Sequence, residues 1–202
     1  RVESDDVLDL PSTLSINLKC DLCPTAQRLY QQVSNQFVAD VEGGYITATN
    51  ALSRLLRLQQ ITSGYGRLED GTDIEVDTSK AKILEDTLTD IGKEPVVVFT
   101  RFIHDLDVVH RTAAKLGIPS YEVSGRRKDL SEWNSGVLAV QIQAGGLGLD
   151  LTRARYAIYY SLGFSLGDYS QSMARLHRPG QTHPVEYIHI LASGTVDEQV
   201  ME

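Results

Sequence analysis

Arg175 and Arg178 stand three residues apart in QSMARLHRPGQ, residues 171–181, just ahead of a Pro-Gly pair that must break the chain. A guanidinium is planar, always charged and forked, so it suits two parallel hydrogen bonds to a phosphate. Gln171, Arg175 and Arg178 fall at i, i+4 and i+7, which on a continuous helix gives them one face and one edge of the domain. An ordinary amphipathic helix also exposes arginines, so the stretch gains meaning only beside others like it. One is QAGGLGLDLT, where Gly145, Gly146 and Gly148 precede Asp150. Glycines after a strand let backbone N–H groups approach an anion, although a plain tight turn explains them too, and G-G-x-G is not the dinucleotide fingerprint. Another is SGRRKDLSEW, where Arg126, Arg127 and Lys128 follow Ser124-Gly125 at the expected start of a helix. Three cations there oppose the positive end of the helix dipole, which an external anion or simple solvation must relieve.

The elements that carry these loops alternate. From Ser79 onward, KAKILEDTLTDI, FIHDLDVVHRTAAKLG, RRKDLSEWN, DYSQSMARLH and TVDEQVM read as helices, and PVVVFT, YEVS, VLAVQI, YAIYYS and VEYIHIL read as short strands. Strands that are apolar along their whole length, interleaved with helices, predict an α/β fold with a mostly parallel sheet covered on both faces. Ligands of such sheets gather at the carboxyl ends of the strands, and all three loops are expected there.

Upstream, to about residue 62, the chain reads as helical. Leu29, Val33, Phe37 and Val41 recur every four residues behind Pro24, predicting a helix that stops at Gly43-Gly44. A second helix is predicted over TNALSRLLRLQQITSG, capped by Thr49 or Asn50, with Leu52, Leu55, Leu56 and Ile61 on one face. Residues 64–78 are polar and glycine-containing and read as a loop with a short hairpin, which sets the expected domain boundary: 1–78, then 79–202.

With 202 residues and 42% hydrophobic content, the chain can bury a substantial core. Its longest apolar runs fall well short of the roughly 18–20 residues a bilayer span needs, and no signal segment opens it, so an intracellular protein without a membrane partner is expected. It starts at Arg1 rather than Met and is read as part of a longer product. Cys20 and Cys23 form a lone C-x-x-C without a second ligand pair, so reduced thiols at a helix start are expected rather than zinc. The net charge of −8 argues against a polyanionic partner until its distribution is considered. Residues 1–100 hold 9 Lys and Arg against 16 Asp and Glu, whereas residues 101–202 hold 10 against 11, with the cations grouped. Local phosphate binding therefore stays open.

In order, PVVVFTRF, SGRRKDLSEW, QIQAGGLGLDLTRARYAIYYS and QSMARLHRPGQTHPVEYIHILASGTVDEQV resemble the second RecA-like lobe of superfamily-two helicase-type ATPases, specifically the Swi/Snf group of DNA translocases. DLPSTLSINLKCDLCPTAQRLYQQV and ALSRLLRLQQITSG resemble the helical segment that joins the two lobes in that group, so nearly the whole chain is covered. Asp150 stands where the family usually has Asn, and Gly163-Phe164-Ser165 where it has an aromatic-Asn-Pro, which fits a compact phage or bacterial branch. The resemblance implies a RecA-like sheet preceded by a helical segment, and a partner lobe in the same parent chain. The nucleotide loop G-x-x-x-x-G-K-[ST] is absent, since the Gly-Lys at Gly92-Lys93 runs on to Glu94, and no D-E-x-H quartet occurs. ATP and magnesium are thus expected to be held mainly by the first lobe, with this chain alone inactive and binding no metal.

By the same resemblance, Arg175 and Arg178 are expected to be catalytic, reaching the γ-phosphoryl group across the cleft, with Gln171 as a further γ-phosphate contact. Gly146, Gly148 and Asp150 are expected on the ribose or phosphate side of ATP. Thr100, Arg101, Gly125, Arg126 and Gly145 are expected on the backbone of double-stranded DNA. The implied activity is ATP-driven translocation on duplex in the cytoplasm or nucleoid, or in host cytoplasm for a phage protein. A strand-separating DNA or RNA helicase lobe and a non-hydrolysing nucleic-acid-binding module are the alternatives.

Overall fold

A computed structural model of the chain describes residues 10–36, 38–42, 44–143 and 148–201. In chain order the elements are β1 (Thr13–Cys20), α1 (Pro24–Gln36), β2 (Val38–Val41), β3 (Gly44–Thr47), α2 (Ala51–Thr62), β4 (Tyr65–Arg67), β5 (Asp73–Glu75) and α3 (Ser79–Ile91). There follow β6 (Val96–Thr100), α4 (Ile103–Lys115), β7 (Ser120–Val123), β8 (Val137–Gln141), β9 (Tyr156–Tyr159), α5 (Leu166–Leu176), β10 (Val185–Ala192) and α6 (Val196–Met201). The chain forms two compact units, whose described residues are 10–17 with 85–189, and 18–84 with 190–201.

The first unit is built on the sheet β1-β10-β9-β6-β8-β7. The pairs β7·β8, β8·β6, β6·β9 and β9·β10 are all parallel. Val185 N–H donates to Ser12 and Ser193 N–H to Cys20, a constant offset that makes β1 parallel to β10 as well. Every residue of β6 and the first four of β8 are buried, as strands covered on both faces must be. Val97, Phe99, Val123, Trp133, Leu138, Val140 and Tyr159 share one core. The sheet order reverses at β6, which lies between β8 and β9 although it precedes both in sequence.

RRKDLSEWN does not form the expected helix; only a single 3-10 turn, Asp129–Ser131, occurs there. Ser124 N–H donates to the Arg127 carbonyl (2.9 Å) and Arg126 N–H to Ser124 Oγ (3.0 Å), closing a tight turn over the three cations. Lys128, at φ −142° and ψ 58°, is not helical. The segment then runs straight into β8, since Trp133 is fully buried with its Nε1–H on the Gly136 carbonyl (3.1 Å). Gly136 has φ +75°, and a Cβ there would collide with the Pro119 carbonyl.

In the second unit the helical reading needs revision. The α1 helix stops at Gln36, and Val38–Val41 pairs antiparallel with Gly44–Thr47, Val41 lying opposite Gly44. The apolar spacing of four fits a helix, but Val38, Val41, Tyr45, Ile46 and Thr47 are strand formers on either side of a glycine turn signal, and the hairpin wins. Phe37 lies outside the described residues. β4 and β5 form the anticipated short hairpin. Ala26, Leu29, Val33, Ala39, Ile46, Leu58, Ile61 and Val196 make this unit's core, while Leu52 is exposed rather than buried.

The C-x-x-C acquires a local explanation. Cys23 precedes Pro24, and its Sγ accepts from Ala26 N–H (3.5 Å), so it caps α1. Cys20 donates to the Leu191 carbonyl (3.7 Å), and burial pushes its thiol up to about 11. Both are free cysteines. Asn50 caps α2: its Oδ1 accepts from Ser53 N–H (2.9 Å) while Ser53 Oγ accepts from Asn50 N–H (3.0 Å). Asn50→Ala is expected to cost about 1 kcal/mol in urea unfolding; an unchanged midpoint would show that the reciprocal cap adds nothing.

Candidate functional site

The residues singled out in the sequence fall at opposite ends of the parallel strands, not at one edge. Thr100 and Arg101 end β6, and Gly125 and Arg126 follow β7, so both pairs sit at the carboxyl edge, as expected. Because α5 connects two parallel strands it must run back against them, and its last turn returns to the amino edge. The contacts agree: Leu151 N–H donates to the Arg175 carbonyl (3.1 Å), His177 Nε2 lies 2.7 Å from the Pro11 carbonyl, and Glu186 N–H donates to the Arg155 carbonyl (2.8 Å). Residues 11, 155 and 186 lie just before or at the starts of β1, β9 and β10. A five-residue strand separates the two edges by roughly 15 Å.

At the amino edge, Pro179 explains the local geometry. In a continuing helix its ring would strike the carbonyl of residue 175 and disfavour helix at residue 178. The α5 helix accordingly ends at Leu176, with His177 at φ −92° and ψ 84°. The freed Arg175 carbonyl takes the Leu151 N–H instead. Arg178 therefore lies beyond the helix, and the three-residue face expected for Gln171, Arg175 and Arg178 reduces to Gln171 and Arg175, one turn apart, with Gln171 exposed.

Asp150 joins this group. Its Oδ1 accepts from Thr152 N–H (3.1 Å) and Thr152 Oγ1 (2.8 Å). Those two donors, followed by the nearby Arg178 and Arg153 charges, hold its carboxyl below the usual carboxylate range. Arg175 Nε is buried without a hydrogen-bond partner among the described residues, an unspent donor. Gly148, at φ +66°, has open space where a side chain would stand. Gly145 and Gly146 lie outside the described residues.

Gln181, the last residue of QSMARLHRPGQ and assigned no role by the resemblance, ties the group together. Its Nε2 donates to the carbonyls of Thr152 (3.2 Å), Ala154 (2.9 Å) and Leu176 (3.3 Å). Its Oε1 accepts from Thr182 N–H (3.0 Å) and His183 N–H (3.1 Å). The only sequence signal was its place directly after Pro-Gly, where a turn needs a side chain to hold it.

At the carboxyl edge, Thr100 is fully buried and its hydroxyl has no partner among the described residues. Arg101 N–H donates to Ser161 Oγ (2.8 Å), which donates in turn to the buried Asp105 carboxylate (2.5 Å). The Arg101 guanidinium lies over Phe102 (5.3 Å to the ring centre) and close against Gly163. Gly125 is exposed, with open space around its Cα. Arg126 is held by carboxylates: Nε donates to Glu122 Oε1 (2.8 Å), and Nη2 to Glu122 Oε2 (3.0 Å) and Asp107 Oδ1 (2.6 Å). Glu122 also takes hydrogen bonds from Ser124 Oγ (2.5 Å) and His110 Nε2 (2.9 Å). Burial alone would push its carboxyl up; the bonds from Arg126, Ser124 and His110 outweigh that and bring it down to about 2. Composition had marked Arg126 as part of a basic cluster but could not show its acidic partners, which come from α4 and β7.

Among the described residues no group of three or more His, Cys, Asp or Glu side chains is placed to hold a metal ion, and no helix is long and apolar enough to cross a membrane.

Residues 79–180 match the family described as the helicase conserved C-terminal domain. A protein of Mycoplasma pneumoniae named as an uncharacterized ATP-dependent helicase is 25% identical over 217 residues, covering 100% of this chain and 21% of that protein. A Xenopus tropicalis protein named as a SWI/SNF-related regulator of chromatin containing a DEAD/H box is 30% identical over 144 residues, covering 64% of this chain and 14% of that protein. The chain thus spans about a fifth or less of these relatives. In fold it is similar to the solved C-terminal part of the Fun30 ATPase domain, with TM-score 0.70 at 15% identity, covering 95% of this chain and 89% of that one. The six-stranded parallel sheet with its helices is therefore a RecA-like α/β fold.

Proposed function

The chain belongs to the helicase conserved C-terminal domain family, and from that premise we propose that it is the C-terminal half of an ATP-driven duplex-DNA translocase. Residues 79–202 are the second lobe and residues 1–78 the segment that leads into it. A first lobe elsewhere in the parent chain binds ATP and magnesium, and this chain alone turns over no ATP. The observation that carries the reading is the separation of two polar groups to opposite edges of one sheet. Asp150, Arg175 and Arg178 gather at the amino edge, and Thr100, Arg101, Gly125 and Arg126 at the carboxyl edge. A motor needs one surface for the nucleotide and another for its track, and one sheet then links them mechanically.

At the nucleotide edge, Arg175 and Arg178 supply positive charge to the γ-phosphoryl group as it transfers. The unpartnered Arg175 Nε supports this, because a buried donor with nothing to bind is costly unless a ligand meets it. Gln171 adds a donor one turn earlier, Gly148 and Asp150 face the ribose or phosphates, and Gly146 is assigned to the same role by resemblance alone. When ATP is bound it supplies the transferable phosphoryl group; this chain's part is to orient it and stabilise its charge. At the DNA edge, Arg101, Gly125 and Arg126, with Thr100 behind them, hold backbone phosphates, which position a protein without reading sequence, and Gly145 is assigned to the same role by resemblance alone. ATP and duplex each favour the closed pair of lobes, so each raises the affinity for the other.

The test is ATP hydrolysis by the two-lobed parent and by this 202-residue chain, each without nucleic acid and with duplex DNA, single-stranded DNA or RNA. A silent chain beside a parent stimulated most by duplex is expected. Greater stimulation by single strands would favour a strand-separating lobe instead. A parent silent under all four conditions would leave a binding module. Duplex affinity of the parent should also fall steeply with salt, by about one unit of log–log slope per phosphate contacted; a salt-independent affinity contradicts backbone binding.

A further inference from the structure

Arg126 is assigned to a backbone phosphate in the duplex-binding reading, yet its guanidinium is already engaged by two carboxylates of very different character. Glu122, on β7, is completely shielded from solvent and binds through Nε and Nη2 at 2.8 and 3.0 Å. His110 Nε2 and Ser124 Oγ, also bound to it, fill its remaining acceptor capacity. Exchanging Glu122 for a ligand would strand a buried charge, so that contact is permanent. Asp107, in the second turn of α4, binds the same Nη2 at 2.6 Å, but its side chain is 48% exposed and that of Arg126 37% exposed. An ion pair so open to water is weak and exchangeable. Nη1 makes no hydrogen bond among the described residues, so the guanidinium edge formed by Nη1 and Nη2 is the one through which a phosphate would be taken bidentately.

We propose that Asp107 sets how tightly a nucleic-acid backbone phosphate is held at Arg126, by occupying the outer edge of its guanidinium in the unbound protein and giving way when the phosphate arrives. Glu122 is the fixed side of the same clamp: it holds the guanidinium plane still, so the exchange at the outer edge needs no rearrangement of the backbone. This deepens the duplex-binding reading and rests on it. The exchange replaces one oxyanion by another at Nη2 and adds the open Nη1 to the contact, and nothing covalent changes. A competing carboxylate weakens binding at every salt concentration, but it also keeps the site from holding stray anions and lets a translocating protein release each phosphate.

The experiment measures duplex DNA affinity of the two-lobed parent across a salt series for the unaltered protein, Asp107→Asn, Arg126→Lys, the double variant, and Asp90→Asn. Arg126→Lys keeps a cation against buried Glu122 but loses the forked edge, so the fold survives its test. Asp90, exposed near the end of α3, controls for the loss of one negative charge. Asp107→Asn is expected to tighten binding roughly two- to fivefold, the scale of an exposed pair, and to have no such effect in the Arg126→Lys background. Equal tightening in both backgrounds, or by Asp90→Asn as much as by Asp107→Asn, would reduce the effect to bulk charge and overturn the proposal. If Arg126→Lys weakens binding while Asp107→Asn does nothing, the duplex reading survives and the competition is refuted. A parent that binds no duplex at any salt sinks both together.

Discussion

Arg178→Ala in the two-lobed parent is expected to lower ATP turnover by on the order of 10³-fold or more, the range lost when an arginine finger is removed from other phosphoryl-transfer enzymes. The loss should appear mainly in kcat, with KM changed little, because the charge that the guanidinium meets develops in the transition state rather than in bound ATP. The fold should not notice. The Arg178 side chain makes no hydrogen bond to protein among the described residues; its carbonyl, which accepts from Gln181 N–H at 3.0 Å, is retained in the variant. A surface change of this kind shifts stability by about 0.5 kcal/mol at most. Turnover that is unchanged, with a melting temperature also unchanged, removes Arg178 from the reaction. A matching fall in melting temperature would instead say that Arg178 holds the 177–181 turn through its attraction to Asp150.

Acid should find the weak point of the first unit at Glu122. In the folded chain hydrogen bonds from Arg126, Ser124 and His110 overcome the opposing effect of burial and bring its carboxyl down to about 2, against 4.5 for a free side chain. A depressed carboxylate stabilises the fold fully above its unfolded value. The contribution then declines as pH falls from about 4.5 through about 2, because the unfolded chain takes up the proton first. A gap of that size corresponds to roughly 3 kcal/mol. Urea unfolding of the chain and of Glu122→Gln, compared at pH 7, 5, 4 and 3, should show a large deficit for the variant at neutral pH that shrinks steadily below pH 4.5. A deficit of constant size would mean that shape, not charge, makes Glu122 valuable. Glu122→Ala should be worse still, since Arg126 and His110 would lose their common acceptor.

How much of this was legible beforehand depends on the kind of information each feature needs. The alternation of fully apolar strands with helices from Ser79 onward carried the parallel sheet, because burial on both faces leaves a composition that nothing else requires. Of Thr49 and Asn50, both candidates for the cap, Asn50 is the one whose side chain accepts from the Ser53 backbone N–H, whereas Thr49 reaches only the Ser53 hydroxyl. Val38–Val41 was misread because four-residue apolar spacing cannot be told from a short strand by periodicity alone. The RRK stretch was misread for a different reason: the turn that replaces the helix is closed by Ser124, and the first acceptors of its charge, Glu122 and Asp107, are visible only once β7 and α4 are side by side. The motif arginines were legible as types but not as places. Which edge of the sheet they reach follows from the direction of α5 and from Pro179, which ends the straight line along which Gln171, Arg175 and Arg178 had been counted.

Gln181 has a consequence for the kind of drift this chain can tolerate. One primary amide satisfies three carbonyls from two separate segments and two N–H groups just beyond itself. Glu has the same length and shape but would set an oxyanion against three acceptors. Leu or Met would fill the volume and orphan all five partners at once. Asn reverses no polarity, yet it is one methylene short of the reach. Position 181 is therefore a one-letter position in a region that otherwise reads as an exposed turn. Neighbours such as Thr182 and His183 contribute backbone N–H groups to the clamp and can vary in side chain without loosening it.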